Sequence, residues 1–184
     1  MVRKKVYKKQ HILAAAEDLL IEKGFSAITA RSVAEYMGIS TQPIYLEFKN
    51  MEELKLTLLK TVYEGLERDF FSTVRTSSSL ANFGVNQIEF AKAKSKLYIA
   101  LFVEQHSYGK ELHQLSFNSF KKTIQSEVKY TNVSQEQLEN VHLKLWIVAN
   151  GMATLSISGI LNKTEEQLID VFTSIKLKSD ATWI

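Results

Sequence analysis

The stretch that decides the fold runs from Thr29 to Leu54 and reads TARSVAEYMGISTQPIYLEFKNMEEL. Its first half carries apolar residues at helical spacing, namely Val33, Ala34 and Met37. Gly38 then interrupts the pattern, and glycine readily adopts the left-handed backbone with which many helices end. The stretch therefore predicts a short helix that stops at a tight turn.

A second helix is predicted directly after this turn. Ser40 is a suitable N-cap, because its hydroxyl can accept a hydrogen bond from a free backbone N–H at the helix start. Pro43 falls in the first turn, where proline removes no hydrogen bond within the helix. Ile44 and Phe48 are four residues apart and are predicted to face inward. The pattern is thus helix, turn and helix, followed by the start of a third helix near Leu54.

The residues left on the outside of the second helix suggest contact with DNA. A helix-turn-helix places the N-terminal part of its second helix in the major groove. Glutamine can form paired hydrogen bonds with adenine, a threonine methyl or proline ring can touch a thymine methyl, and tyrosine and lysine suit phosphate oxygens. The predicted DNA-binding residues are Arg31, Ser40, Thr41, Gln42, Pro43, Tyr45 and Lys49. From the residues alone, an ordinary pair of packed helices with polar outer faces remains equally open.

A family resemblance adds to this interpretation. The residues that carry it are Thr29, Val33, Ala34, Gly38, Ile39, Ser40, Tyr45, Phe48 and Leu54. Their register resembles the N-terminal domain of TetR-type transcriptional regulators, and the match covers roughly the first third of the chain, from Gln10 onward. The resemblance implies that Leu54 opens the helix that joins two domains. The sequence departs from the family at Met51, where a phosphate-binding lysine is usual, and Lys49 could supply that contact instead.

Positive charge is concentrated at the N-terminus of this chain of 184 residues, whose net charge is only +3. The segment from Met1 to Gln10 contains no acidic residue and the basic residues Arg3, Lys4, Lys5, Lys8 and Lys9. Such a basic arm can lie against phosphates or enter a minor groove. A solvated terminus that becomes ordered only on DNA is compatible with the same pattern.

The composition excludes several classes of protein. The chain has no cysteine, which excludes disulfides, thiol catalysis and thiol-based redox sensing. Its charged N-terminus lacks the apolar core of a signal peptide, and no apolar run is long enough to span a bilayer. With 45% hydrophobic and 23% charged residues, the composition is ordinary for a soluble globular protein. We therefore expect a cytoplasmic protein without membrane contact.

A single proline and long helical periodicity predict an all-α fold. In it, a three-helix N-terminal helix-turn-helix head is joined by a long helix to a C-terminal helical bundle domain. The expected domains are residues 1–50 for DNA binding and residues 51–184 for ligand binding and dimerisation. The predicted helices cover about 7–23, 50–70, 83–106 (as one helix or two), 112–129, 135–160 and 165–176. The predicted breaks, loop and N-caps are, in chain order, Gly24, Asn50, Arg75–Leu80, Gly109, Ser134 and Thr164.

Large aromatic side chains are frequent in the second domain, and most are expected to form its core. Some could instead line a pocket between helices, where helical bundles usually bind small molecules. The pocket candidates are Phe90, Phe102, Phe117, Phe120, Trp146 and Asn150. The expected ligand is an apolar or aromatic small molecule, which could also carry a positive charge.

Small residues recur at three- and four-residue spacing in the segment LWIVANGMATLSISG, starting at Leu145. They allow two helices to approach closely, either within the domain or between two subunits. The segment also resembles the Trp–His–Gly pattern of some TetR-type C-terminal domains, with Asn150 in place of the histidine. That resemblance implies that the last two long helices pair with those of a second subunit. The predicted dimer interface comprises Ala149, Ala153, Ser156, Gly159, Leu168 and Phe172.

No catalytic constellation is evident in the sequence. His106 and His113 could share a helical face, but ordinary surface or capping histidines are favoured over a metal site. Neither a glycine-rich phosphate loop nor a nucleophile–base pair occurs, and no cofactor is expected. We therefore predict a homodimeric transcriptional repressor that binds double-stranded operator DNA and is released by a small molecule. The alternatives are an all-α enzyme, for which catalytic residues are missing, and a helical adaptor, which leaves the Thr29–Leu54 pattern unexplained.

Overall fold

The computed structural model describes residues 7–124, 127, 130 and 133–175, and every structural statement below concerns this part of the chain. All of its regular elements are helical, which confirms the predicted all-α fold. The α-helices are α1 (Lys9–Lys23), α2 (Ala30–Met37), α3 (Gln42–Glu47), α4 (Met51–Leu66), α5 (Ser79–Ala93), α6 (Ser95–Phe102), α7 (Gly109–Ile124), α8 (Gln135–Ile157) and α9 (Glu165–Ser174). None of these helices is both long and apolar enough to cross a membrane.

The chain folds into two compact units that differ from the predicted division at residue 50. The first, which we call the head unit, takes the chain up to Gly65 together with Lys96–Leu112. The second, the bundle unit, takes Leu66–Ser95 together with the chain from His113 onward. Almost all of α4 and of α6 therefore pack with the first three helices. A contiguous division was predicted because sequence periodicity contains no information about packing between distant segments.

The core of the head unit forms as the periodicity predicted. Its buried side chains include Ile12, Ala16, Leu19, Leu20, Val33, Ala34, Ile44, Phe48, Leu54 and Leu58. Aromatic contacts bring the later segment into the same unit: the Phe25 ring centroid lies 4.8 Å from that of His106 and 5.0 Å from that of Tyr108. Gly109, predicted as a helix break, is instead the first residue of α7, and the interruption lies just before it.

A hydrogen bond from Tyr108 to α4 strengthens this arrangement. The Tyr108 hydroxyl donates to Glu52 Oε2 at 2.9 Å. Burial, with this bond as the next cause, raises the pKa of Tyr108 to about 12. The phenol therefore keeps its proton and remains a donor at neutral pH.

The turns around α2 follow the prediction, whereas the start of α3 does not. Gly24 and Gly38 have φ values of 73° and 65°, which confirms both as helix ends. Ser40, however, is not the N-cap of α3; that position is held by Thr41, and its side chain makes no capping hydrogen bond. A cap at Ser40 would need the N–H of the second or third helical residue. Pro43 would be that third residue and has no N–H, so a cap at Ser40 would lose one of its two possible donors.

The long helix predicted over 50–70 is α4 followed by a π-helical turn, Glu67–Phe71. Asn50 caps it as predicted, since Asn50 Oδ1 accepts a hydrogen bond from the Glu53 N–H at 2.8 Å. Regular α-geometry stops at Leu66, next to the boundary between the two units. The predicted continuous rod is therefore interrupted by a turn of a type that often marks functional positions.

Helix α5 lies at the centre of the bundle unit, with most of its residues buried and both α8 and α9 packed against it. Gly84 allows the close approach of α9, because a Cβ at this position would lie 2.4 Å from the Phe172 ring. An ion pair links α9 to the loop before α5, with Arg75 Nη1 lying 2.6 Å from Glu165 Oε2. The loop lies earlier than the predicted Arg75–Leu80, since the π-helical turn ends at Phe71 and α5 begins at Ser79.

The remaining helix ends differ from the predictions by a few residues. Helix α7 ends at Ile124 rather than near residue 129, and α8 ends at Ile157 rather than at 160. Ser134 and Thr164 both cap their helices as predicted, each with a glutamine three residues later completing a capping box. The last described residue of the final helix is Ser174, and Lys176, where that helix was predicted to end, lies outside the described residues.

Candidate functional site

The outward face of α3 is defined by what the helix buries. Ile44 is 0% exposed and Phe48 is 2% exposed, so this side of the helix is fixed in the head core. With about 100° of rotation per residue, residues 42, 45 and 46 point away from that core. The structure places every predicted DNA-binding residue on the surface of the head unit, with Pro43 half-buried and the others exposed.

Arg31 does not project freely from α2. Its Nε atom lies 2.7 Å from Glu35 Oε1, one helical turn along the same exposed face. Exposed pairs at this spacing contribute only about 0.3–0.5 kcal/mol, so a DNA phosphate could displace the carboxylate. Arg31 can therefore reach DNA only in competition with Glu35, which sequence reasoning did not consider.

Lys49 sits where the chain passes from α3 to α4. Its backbone N–H donates to Glu53 Oε2 at 2.8 Å, while its side chain is exposed. Met51, which stands where the family usually has a lysine, is half-buried in the first turn of α4. Lys9 belongs to the described part of the basic arm, and its Nζ lies 4.7 Å from the Phe48 ring centroid and 3.8 Å from Glu53 Oε1. Arg3, Lys4 and Lys5 lie outside the described residues.

Sequence reasoning missed one residue of this surface. Leu46 is 77% exposed, more than its neighbour Tyr45 at 55%. A leucine in a helix is normally assigned to the core, so the prediction considered only polar residues and Pro43. The available signal was its spacing of four from Gln42, which puts both on one face of α3.

Residues 12–57 match the family model described as bacterial regulatory proteins of the tetR family. The head of the chain therefore matches the N-terminal domain of tetR-family regulators.

Solved structures share the fold of this protein over nearly the whole chain. The fatty acid degradation regulator FadR from Bacillus halodurans superposes with a TM-score of 0.62 at 16% identity, covering 92% of this chain and 94% of that one. The flavonoid-responsive regulator FrrA gives 0.60 at 20% identity, covering 90% and 91%. A TetR-family member from Streptomyces coelicolor gives 0.60 at 16% identity, covering 90% and 95%. No curated protein matches the chain.

In the bundle unit, three of the predicted pocket residues gather around a buried histidine. The ring centroids of Phe117 and Phe120 each lie 5.4 Å from that of His142, and that of Trp146 lies 6.0 Å away. His142 is 0% exposed; its Nε2 is hydrogen-bonded to Ser116 Oγ at 2.9 Å, and its Nδ1 has no hydrogen-bond partner among the described residues. We call these five residues the His142 cluster. Sequence reasoning missed its centre, because a lone histidine gives no signal of burial.

The other pocket candidates lie elsewhere. Asn150 is one turn beyond Trp146, where its Oδ1 accepts a hydrogen bond from Gln87 Nε2 at 3.1 Å. Phe90 is buried against Phe70 and Phe71, and Phe102 belongs to the head unit, where its ring stacks on Tyr98. The predicted set therefore does not form one group.

A separate cleft of the bundle unit has a different character. It has a volume of about 530 Å³ and lies between the loop before α5 and the end of α7. Its lining is dominated by hydroxyl side chains, together with Glu67, Lys122, Glu127, Asn82, Phe71 and Val74. Lys122 Nζ donates to Glu67 Oε1 at 2.9 Å. We call this cleft the polar cleft, because most of its lining side chains carry a hydroxyl, amide or charged group.

Four residues of the predicted dimer interface are inside their own subunit. Ala149, Ala153, Leu168 and Phe172 are all 0% exposed within a single chain. The small face of α8 turns toward the core of the bundle unit, where α5 packs against this helix, and Phe172 covers Gly84. Side chains that their own chain covers completely have no surface to offer a partner, so the prediction is wrong for these four. Ser156 is half-buried and Gly159 is exposed.

The two histidines of the metal hypothesis belong to different units. His106 belongs to the head unit, where its Nε2 lies 2.8 Å from the Leu101 carbonyl oxygen, and His113 belongs to the bundle unit. Within residues 7–175, as far as the structure describes them, no group of three histidine or acidic side chains is arranged to hold a metal ion.

The burial of His142 predicts a specific pH dependence of stability. Burial, followed by the nearby charge of His113, lowers the pKa of His142 from 6.5 to about 3. Between these values the unfolded chain binds more protons than the folded one. The free energy of unfolding should therefore fall as the pH decreases through this window, by up to about 1.4 kcal/mol per pH unit.

Urea unfolding at several pH values from 6.5 to 5 measures this slope while most carboxylates stay charged. His142→Gln should flatten it, because the amide can still bond Ser116 but takes up no proton. His11→Gln, on the exposed face of α1, should keep the wild-type slope. Equal slopes for the wild type and His142→Gln would contradict the assignment.

Proposed function

We propose that this protein is a homodimeric repressor that binds operator DNA through α3 and is released by a small molecule bound in the bundle unit. The observation that carries the proposal is the outward face of α3, presented by a TetR-type head whose core fixes Ile44 and Phe48. Binding rather than catalysis is the proposed role. Because its partner is operator DNA, we place the protein in the cytoplasm.

The need for a dimer follows from the size of α3. This helix has six residues and spans roughly 9 Å, which corresponds to about three base pairs of the major groove. One such helix reads too little sequence to select an operator. Two copies related by a two-fold axis would read a near-palindromic site, with half-sites one or more helical turns apart.

The outward face of α8 supports a corrected dimer interface. Ile147 is 61% exposed and Leu155 is 41% exposed, and both lie on the side of the helix opposite Ala149 and Ala153. Gly151 lies between them on this face, and a Cβ there would meet no atom within 4 Å. A glycine flanked by exposed apolar residues would let a second α8 approach closely. We propose this face as the subunit interface.

DNA binding is tested by selecting duplexes from a randomised pool with the full chain. We expect enrichment of a near-palindromic sequence. Gln42→Ala should lose about 1–3 kcal/mol on that sequence and relax its base preference, because paired hydrogen bonds to a base are lost. Lys49→Ala should weaken all duplexes similarly and reduce the salt dependence, because it removes a phosphate contact.

Each outcome of the selection separates the hypotheses. No enrichment at any salt concentration would leave the enzyme and adaptor alternatives. Enrichment with full affinity and preference in Gln42→Ala would place the reading residues elsewhere in the head unit. Arg68→Ala, a cation of the bundle unit that is 74% exposed, is the matched control for Lys49→Ala.

The dimer interface is tested with Leu155→Arg. Two copies of this arginine would meet on the proposed face, and burying unpaired charges there costs several kcal/mol. Light scattering should report a folded monomer, and operator affinity should fall sharply. Val74→Arg, at an 81% exposed loop position, should remain dimeric. A stable dimer of Leu155→Arg would exclude this face of α8.

The His142 cluster is the proposed ligand site, because it combines aromatic rings with His142 Nδ1, a buried nitrogen that has no hydrogen-bond partner in the part of the chain that the structure describes. A ligand with an aromatic or apolar body and one polar group would fit this chemistry. Release from DNA requires that the ligand bind the DNA-free form more tightly, since equal affinities shift no equilibrium. Operator DNA must then weaken ligand binding by the same factor.

Trp146 allows this coupling to be measured. A flavonoid and a medium-chain fatty acid are suitable first probes, because two structural neighbours are described by flavonoid response and fatty acid degradation. In a Trp183→Phe background, a ligand of the His142 cluster should change the Trp146 fluorescence, and operator DNA should lower its apparent affinity. Binding that leaves Trp146 unchanged would favour the polar cleft, and identical affinities with and without operator would exclude an inducer role.

A further inference from the structure

We propose that Leu46 is a sequence-reading residue that contacts the C5-methyl group of a thymine in each operator half-site. The inference rests on the proposed DNA-binding function and adds a residue and a base to it. Leu46 is 77% exposed, whereas Ile44, two residues earlier in the same helix, is 0% exposed. A rotation of about 200° separates the two side chains, so Leu46 points directly away from the core of the head.

An exposed leucine on its own needs no special explanation. Leu46 differs from the other exposed apolar residues of the head unit in both degree and position. Tyr36, Tyr45, Ile99 and Val103 are between 37% and 55% exposed. Leu46 also belongs to the short helix α3 and shares its outward face with Gln42, four residues earlier. It therefore lies where a base edge would be, if α3 enters the major groove.

The chemistry of the side chain selects its partner. Leucine has no hydrogen-bond donor or acceptor, so it cannot satisfy the polar edges of guanine, cytosine or adenine. The thymine methyl is the apolar group that the four bases present in the major groove. Contact with this methyl removes apolar surface of both partners from water, whereas any other base would leave a polar group desolvated.

The spacing to Gln42 predicts how the two contacts are arranged. Four helical residues correspond to about 6 Å along the axis, and base pairs are stacked about 3.4 Å apart. The two side chains should therefore read positions about two base pairs apart. With glutamine suited to adenine, each half-site should contain an A·T pair read by Gln42 and a second A·T pair read by Leu46.

The test is a double-mutant cycle in which one change is made in the protein and the other in the DNA, and the affinities of all four combinations are compared. The enriched duplex is prepared with each thymine replaced in turn by deoxyuridine, which removes only the methyl group. For the wild type, one replacement in a single half-site should weaken binding about fourfold, and the symmetric pair, one in each half-site, about fifteenfold. Leu46→Ala changes both subunits, so its affinity for the unmodified duplex should fall about as much as that of the wild type for the symmetric pair. Replacing the same thymines by deoxyuridine should then not weaken its binding further. Val74→Ala, an equally exposed apolar truncation in the bundle unit, should keep the full wild-type response.

Other outcomes overturn the inference. If Leu46→Ala and the wild type respond equally to every deoxyuridine, Leu46 reads no thymine methyl. If Leu46→Ala binds like the wild type, the side chain has no part in recognition. Both results would leave DNA binding itself intact, whereas failure of the wild type to enrich any duplex would remove the proposed function instead.

Discussion

The insertion of Ile44 and Phe48 into the core of the head unit is the interaction on which the rest of the proposed site depends. These two side chains are almost completely buried and lie four residues apart, so they fix the rotation of α3 about its own axis. Without them a six-residue helix would have no stable orientation, since helices of this length are marginal in water. Gln42 and Leu46 face outward because the opposite side of the helix is buried in the core of the head unit.

A similar division between buried and exposed faces governs the bundle unit. Most residues of helix α5 are buried, and the small or apolar faces of α8 and α9 pack against it. Gly84 is the closest point of this packing, where any side chain would overlap the ring of Phe172. The outer face of α8 is left with Ile147, Gly151 and Leu155, and this residual surface is what a partner subunit could use. Packing within the subunit thus decides which residues remain for assembly.

Electrostatics limits what each surface can do. The proposed base-reading residues of α3 are uncharged, Arg31 is paired with Glu35, and Lys49 is an exposed cation next to this helix. Base contacts would carry the selectivity of such a surface, because phosphate contacts carry no sequence information. In the bundle unit, His142 is held neutral by its apolar surroundings, which makes it a polar group without charge. Such a group can orient a ligand without the large cost of a buried ion.

The sequence by itself determined the helical fold, the helix-turn-helix, its glycine turns and most helix caps, because these depend on neighbours within a few residues. The exposed positions of Gln42, Tyr45 and Lys49 followed from the same local periodicity. Tertiary structure alone decided that Lys96–Leu112 packs with the head, through the rings of Phe25, His106 and Tyr108. It also decided that Ala149 and Ala153 face inward and that aromatic rings surround His142. A stripe of small residues is the same in sequence whether its partner helix belongs to its own chain or to another, and only long-range packing distinguishes the two.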